Sequence, residues 1–265
     1  MKEELIHPSA VIAKDVHLGR GVRVHPFAVI EGPAVIGEEC EIGAHAVVHR
    51  WVRMGRNNRV GAHAVIGGAP QHTGYDGHES WLDIGDDNIF RESITINRAM
   101  DPAQPTHVGS GCYFMACAHV GHDCQVGDRV ILTNNICLGG HVEVGRGAII
   151  GGGSLIHQCC RVGELAMVAG DLAVRKDVLP YAMLAGEPPR HYRLNSIGLR
   201  RNGINGADYR ALETVFRQLR ANRHLNGSHW PETREVRFLR EWLEGVGKRG
   251  LYGFARAAET PGSDE

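Results

Sequence analysis

The sequence predicts a mainly β chain wound as a parallel β-helix of hexapeptide repeats and followed by a C-terminal α-helical domain. Three observations carry this. Aliphatic residues recur at every sixth position from Ile6 through Ile12, Leu18, Val24, Ile30, Ile36, Ile42, Val48, Met54 and Val60 to Ile66. The series resumes at Ile84, Phe90 and Ile96 and runs unbroken from Val108 through Val120, Val144 and Val162 to Val174. Beyond Pro180 the sixes stop and a helical spacing replaces them.

A helix repeats near 3.6 residues and a simple strand at 2, so neither explains the sixes. A solenoid does: each hexad is a short strand and a turn, and three hexads, eighteen residues, complete one triangular coil. The recurring aliphatic residue points inward, and the residue two before it is small or branched, as at Ala10, Val16, Val22, Ala28 and Cys40. The chain holds 35 glycines and only 6% aromatic residues. Many glycines directly follow the inward residue (Gly19, Gly37, Gly43, Gly55, Gly61, Gly67). There they are expected to sit at turn positions with unusual dihedrals.

Two stretches, 68–83 with "APQHTGYDGHES" and 97–107 with "RAMDPAQPT", lack the repeat and are rich in Gly, Pro and polar residues. They predict protruding loops, which on a rigid scaffold usually carry function. Leu212, Val215, Phe216 and Leu219, then Val236, Leu239, Leu243 and Val246, have the spacing of two amphipathic helices. The expected organisation is a β-helix over 1–193, a helical domain over 194–256 and a disordered tail over 257–265.

With 265 residues, 43% of them hydrophobic, the chain can bury a real core. A net charge of -1 and a pI near 7.0 offer no broad field for nucleic acid or a membrane surface. The start lacks an apolar signal run, and no stretch approaches the roughly 20 apolar residues of a membrane span. A cytoplasmic protein, not integral to a membrane, is expected. The seven cysteines form no CxxC pair, which predicts reduced core thiols over a disulfide framework.

The stretch "ACAHVGHDC", residues 116–124, places two histidines three apart, an aspartate after the second and a cysteine on either side. Coil stacking gives these residues neighbours, since positions eighteen apart lie about 4.8 Å apart. Asp123 then stacks with His141 and Cys159, His122 with Gly140 and Gln158, and Gly121 with Gly139 and His157. This is a polar patch that the fold does not require. An imidazole beside a carboxylate can take a hydroxyl proton, and a glycine N–H can meet an oxyanion. Zinc is the rival reading, but the inward phase of Cys112 and Cys124 gives it no convincing ligand set. Neither a metal nor a cofactor is expected. Most of the chain's sixteen histidines, such as His7, His25, His45, His49 and His63, read as solvated turn residues.

Over nearly its whole length the chain resembles the UDP-N-acetylglucosamine O-acyltransferases that begin lipid A synthesis. The resemblance is carried by "IGDDNIFRESITINR", "AHVGHDCQVGDRVILTNN", "GGHVEVGRGAIIGGGSLIHQ", "GLRRNG" and the helical tail. It implies a left-handed coil and a homotrimer with sites between subunits. It also implies acyl carrier protein as donor and a UDP-sugar as acceptor. His122 would be the general base, Asp123 its orienting partner and Gly140 the oxyanion donor. Gln71, His72, Gly74, His119, Asn134, His141, His157, Gln158, Asn195 and Arg201 would hold substrate, and Gly170, at the position that closes the acyl groove in those enzymes, would as a glycine leave it open to a long 3-hydroxyacyl donor. Where those enzymes usually read Gln-Asp-Leu-Lys-Tyr, this chain reads Gln71-His72-Thr73-Gly74-Tyr75, and their Thr-Ile-His-Arg is Thr95-Ile96-Asn97-Arg98. The departure leaves two alternatives: a paralogous enzyme using another nucleotide (amino) sugar, or a non-catalytic trimeric nucleotide-sugar-binding or scaffold protein.

Overall fold

The computed structural model describes residues 5–222, 230–247 and 249–255. The tail expected to be disordered therefore lies outside the described residues. Strands of two to five residues form three parallel sheets, the faces of a triangular prism. Face I carries nine strands from Val11–Ile12 to Ala173–Val174, and face II eight from Val16–Leu18 to Arg161–Val162. Face III carries ten, from Arg23–Val24 to Met167–Val168 and on to Ala182–Ala185 and Arg190–Leu194. Among the described residues only the last pair is antiparallel. Register follows the sequence period: Val11 pairs with Val29, Gln125 with Glu143 and Ile131 with Ile149.

Inward aliphatics from Val24 to Val174 are buried in one continuous core, joined by the residues two before them, including Cys40, Cys112, Cys124 and Cys160. All seven cysteines are free. Burial pushes the Cys124 thiol up to about 12. A thiol so placed is a small hydrophobe, not a reactive group. Cys117 and Cys159, by contrast, are exposed.

The glycines after the inward residue have another purpose than the expected one. Of those named above, only Gly67 has positive φ. The left-handed residues fall two positions further on, from Cys117, Asp123 and Arg129 through His141 to Asp171, and most are not glycine. A Cβ at Gly37 would lie 2.5 Å from the carbonyl carbon of Gly55, and one at Gly121 2.8 Å from the Leu138 oxygen. These glycines let neighbouring coils approach.

The two irregular stretches leave the prism after Gly68 and Asn97 and return at Leu82 and Thr106. Strand offsets across them are 30 and 24 residues instead of 18. Both therefore emerge from the corner between faces I and II on successive coils. The turn of the following coil at that corner is Gly121-His122-Asp123. Helices α1 (Ser196–Arg201), α2 (Gly206–Asn222) and α3 (Arg234–Glu244) follow the coil. They share a second core that includes Leu212, Phe216, Leu239 and Trp242. Arg161 on face II stacks on Trp242 and donates to its carbonyl, fastening α3 to the coil.

Candidate active site

At the I–II corner the His122 side chain is 10% exposed and that of Asp123 8%. Nδ1 of His122 lies 2.5 Å from Oδ2 of Asp123. With the carboxylate ionised, Nδ1–H donates to it, which leaves the lone pair on Nε2. Oδ1 of Asp123 accepts the N–H groups of Met100 and Asp101, each at 3.0 Å. The Asp123 N–H donates to Thr106 Oγ1 at 2.8 Å. The second loop thus fixes the carboxylate, and the carboxylate fixes the imidazole.

The His122 ring lies against Gly140 on the next coil, where a Cβ would fall 2.6 Å from Cε1 and 2.7 Å from Nε2. The Gly140 N–H has no acceptor among the described residues. Two further imidazoles stand edge-on to His122, with ring centroids 5.2 Å away for His141 and 5.7 Å for His72. His157 and Gln158 follow, exposed, at the same corner one coil beyond Gly140. A cavity of about 180 Å³ opens beside Asp123, lined by Asp101, Gln104, Gln125, His141 and Glu143.

His119 points outward from face I just before the turn, and its Nδ1 lies 2.7 Å from Thr95 Oγ1. Burial, with the nearby charge of His122, holds its imidazole below the usual range. In the first loop His72 accepts the Gly74 N–H on Nδ1 at 3.1 Å, and Gln71 is exposed beside it. One imidazole nitrogen each from His122 and His141 and an oxygen of Asp123 lie within 4.8 Å of one another, the spread of a metal ligand set.

The remaining sequence-predicted residues are elsewhere on the chain. Asn134 and Gly170 lie at the corner between faces III and I, both exposed. Asn195 is buried: its Oδ1 caps α1 by accepting the Gly198 N–H, and its Nδ2 donates to Leu165 O near the corner between faces II and III. Arg201 is exposed at the end of that helix. One chain thus distributes the predicted set over three edges. Met100, Asp101 and Thr106 carry no chemical signature of their own, and sequence reasoning missed them.

A solenoid of this kind with an oriented histidine at one corner defines the class of hexapeptide-repeat transferases. A family model described as "Bacterial transferase hexapeptide (six repeats)" matches residues 33–68. Another, "Udp N-acetylglucosamine O-acyltransferase; Domain 2", matches 177–251. A Gloeothece citriformis protein named acyl-[acyl-carrier-protein]--UDP-N-acetylglucosamine O-acyltransferase is 38% identical over 195 residues, 70% of this chain and 71% of that protein. Its Agrobacterium fabrum namesake is 43% identical over 155 residues, 58% of this chain, and the matched stretch spans only 57% of that relative's length. The solved UDP-N-acetylglucosamine acyltransferase of Bacteroides fragilis superposes with a TM-score of 0.87 at 30% identity, over 94% of this chain and 99% of that one. The chain belongs to the UDP-N-acetylglucosamine O-acyltransferase family.

Proposed function

We propose that this protein transfers an acyl group, a 3-hydroxyacyl chain, from acyl carrier protein to the sugar 3-hydroxyl of UDP-N-acetylglucosamine, the first step of lipid A synthesis. The observation that carries the reading is the His122–Asp123 pair, buried, anchored on two peptide N–H groups and pressed against Gly140. Nε2 of His122 takes the hydroxyl proton as the oxygen attacks the thioester carbonyl. The Gly140 N–H stabilises the oxyanion, and Asp123 stabilises the imidazolium. Collapse forms the ester, and the departing thiolate takes the proton from His122. No metal or cofactor is needed for these steps.

A threefold assembly accounts for the residues left at other edges. Outward side chains on face I are largely apolar, among them Val11, Val29, Val47 and Leu155; those of face III are charged on the first coils, Arg23, Glu41 and Arg59, and apolar further on, at Ile131, Ile149 and Met167. Those of face II are mainly polar, including Arg53, Asp83, Gln125 and Glu143. Packing face I of one subunit on face III of the next buries both apolar stripes. It also sets the His122 corner beside Asn195 of the partner subunit and Arg201 of the partner subunit, whose planar donor fork suits a diphosphate. The acyl chain would then lie on face I over Cys137 and Leu155 toward Gly170. No helix among the described residues is long and apolar enough to cross a membrane, and we place the enzyme in the cytoplasm.

A second acceptor is the competing reading, because His72 replaces the usual acid and stands against His122. Mass spectrometry of the product from acyl-carrier-protein thioester and UDP-N-acetylglucosamine, with light scattering for the trimer, tests the proposal. Absence of an O-acylated nucleotide sugar would sink it.

A further inference from the structure

We propose that His78, in the first loop, is a positioning residue for the His122–Asp123 pair, acting through one peptide group of the second loop. The inference rests on the acyl-transfer reading of that pair. The group is the Met100–Asp101 peptide. Its N–H, that of Asp101, donates to Asp123 Oδ1 at 3.0 Å, and its carbonyl lies 2.8 Å from His78 Nε2. A peptide is planar, with N–H and C=O pointing in opposite directions, so its two partners are coupled rigidly. Drawing the carbonyl toward His78 aims the N–H at Asp123. A donor on the carbonyl also polarises the peptide and strengthens the bond its N–H makes.

His78 is itself held from behind. Asp76 Oδ1 lies 2.6 Å from His78 Nδ1 and accepts the His78 backbone N–H at 3.1 Å. Between them Gly77 has φ +95°, a left-handed conformation that favours glycine and folds the loop back on itself. The Tyr75 ring stands 4.8 Å from the imidazole, and its hydroxyl donates to the His78 carbonyl at 2.6 Å. With an acceptor at each ring nitrogen, only the imidazolium satisfies both contacts. The Asp76 carboxylate, then the Met100 carbonyl, raise His78 above the usual histidine range, against smaller opposing effects of desolvation and of the Arg98 charge. The line from Asp76 through His78 and the peptide to Asp123 and His122 joins both loops to the base.

The test compares wild type, His78→Ala and His78→Gln, whose amide can still donate to the Met100 carbonyl. In His78→Ala we expect kcat to fall about 10- to 100-fold, the scale of a slightly misplaced group, with KM for the nucleotide sugar nearly unchanged. His78→Gln should recover most of the loss. A second readout needs no substrate: the deshielded Nδ1 proton that a 2.5 Å imidazole–carboxylate contact produces, assigned by its loss in His122→Ala, should move upfield in His78→Ala and return in His78→Gln. Wild-type kcat in His78→Ala, or a raised KM alone with an unmoved proton, overturns the positioning role. A wild-type protein that does not turn over overturns the acyl-transfer reading instead, and the proton resonance then decides the role of His78. Should His78→Ala fail to fold, Asp76→Ala, which removes only the rear anchor, is read in the same way.

Discussion

The imidazole of His122 lies so close to Gly140 that a Cβ at residue 140 would fall 2.6 Å from Cε1 and 2.7 Å from Nε2. The atoms in the way belong to a side chain, not to the backbone, so a methyl group there displaces the ring and leaves the coil intact. Gly140→Ala should keep the melting temperature and lower kcat by about 10²-fold or more, since both base and oxyanion donor move. Calorimetry and steady-state kinetics check this, and wild-type turnover would refute the assignment of both groups.

Removing the base itself gives a cleaner measure. His122→Ala should lose about 10²- to 10⁴-fold in kcat, the usual range for a general base, with the fold retained. Wild-type turnover should survive a chelator, because the Nδ1 of His122 is already committed to Asp123. A stoichiometric metal whose removal abolishes activity would revive the ligand set of His122, Asp123 and His141.

The repeat was legible because one inward aliphatic every six residues is a packing requirement that each coil restates. Stacking of His122, Gly140 and Gln158 followed from the same period. The contacts of Met100, Asp101 and Thr106 with Asp123 did not, since they arise where the chain leaves the repeat and no period fixes their register. A hint existed: Ile66, Ile96 and Val120 precede the first gap, the second gap and the His122 turn in the same phase. The outward apolar stripes were equally concealed. Val29 and Ile131 each precede an inward residue, but only the pairing of strands shows which face each belongs to.

Acid stability has a local source in His191. It is fully buried, accepts the Leu179 N–H on Nε2 at 3.0 Å and has Nδ1 3.1 Å from the Tyr252 carbonyl, so it is neutral, and burial pushes it down to about 3. The unfolded chain binds the extra proton. Its stabilising contribution is therefore complete above the ordinary histidine value near 6.5 and is lost as pH falls toward about 3. One proton gives a slope of about 1.4 kcal/mol per pH unit. His191→Gln keeps a donor and an acceptor without titrating, so its melting temperature should fall less than that of wild type between pH 6 and pH 4. Parallel curves would exclude His191 as the source.

Acyl length is governed at Gly170 if the chain lies across face I. Gly170 occupies the III–I corner three coils from the His122 turn, about 14 Å along the axis at the usual strand spacing, with exposed Leu155 between. Gly170→Met should close that path and shift preference to shorter donors. A Cβ there comes 3.0 Å from Gly152 O, so the melting temperature must be followed alongside. An unchanged chain-length profile in a folded variant would remove Gly170 from the groove.

The first loop is where the choice of acceptor can be tested. His72 lies edge-on to His122, and its Nδ1 already accepts the Gly74 N–H, so Nε2, which has no hydrogen-bond partner among the described residues, is the atom a substrate would meet. If the residues at 72 and 74 have no bearing on specificity, UDP-N-acetylglucosamine remains the best acceptor in a panel of nucleotide sugars. If they do, loss of a lysine contact to a polar substrate group costs about 1.5 to 3 kcal/mol, roughly ten- to a hundredfold in affinity, and another sugar recovers it through His72. The double change His72→Asp and Gly74→Lys is sterically feasible: a Cβ at 74 meets the His72 ring at 3.3 Å, which is removed in the same variant, and then Met100 Cε at an ordinary contact distance of 3.9 Å. We expect UDP-N-acetylglucosamine to lead in kcat/KM and the double change to alter the order little, because His122, Asp123, Gly140, His141 and Gln158 are all in place. A different sugar ahead by more than about tenfold, a gap of roughly 1.4 kcal/mol, with the order reversed by the double change, would make this loop the specificity element and the named acceptor wrong.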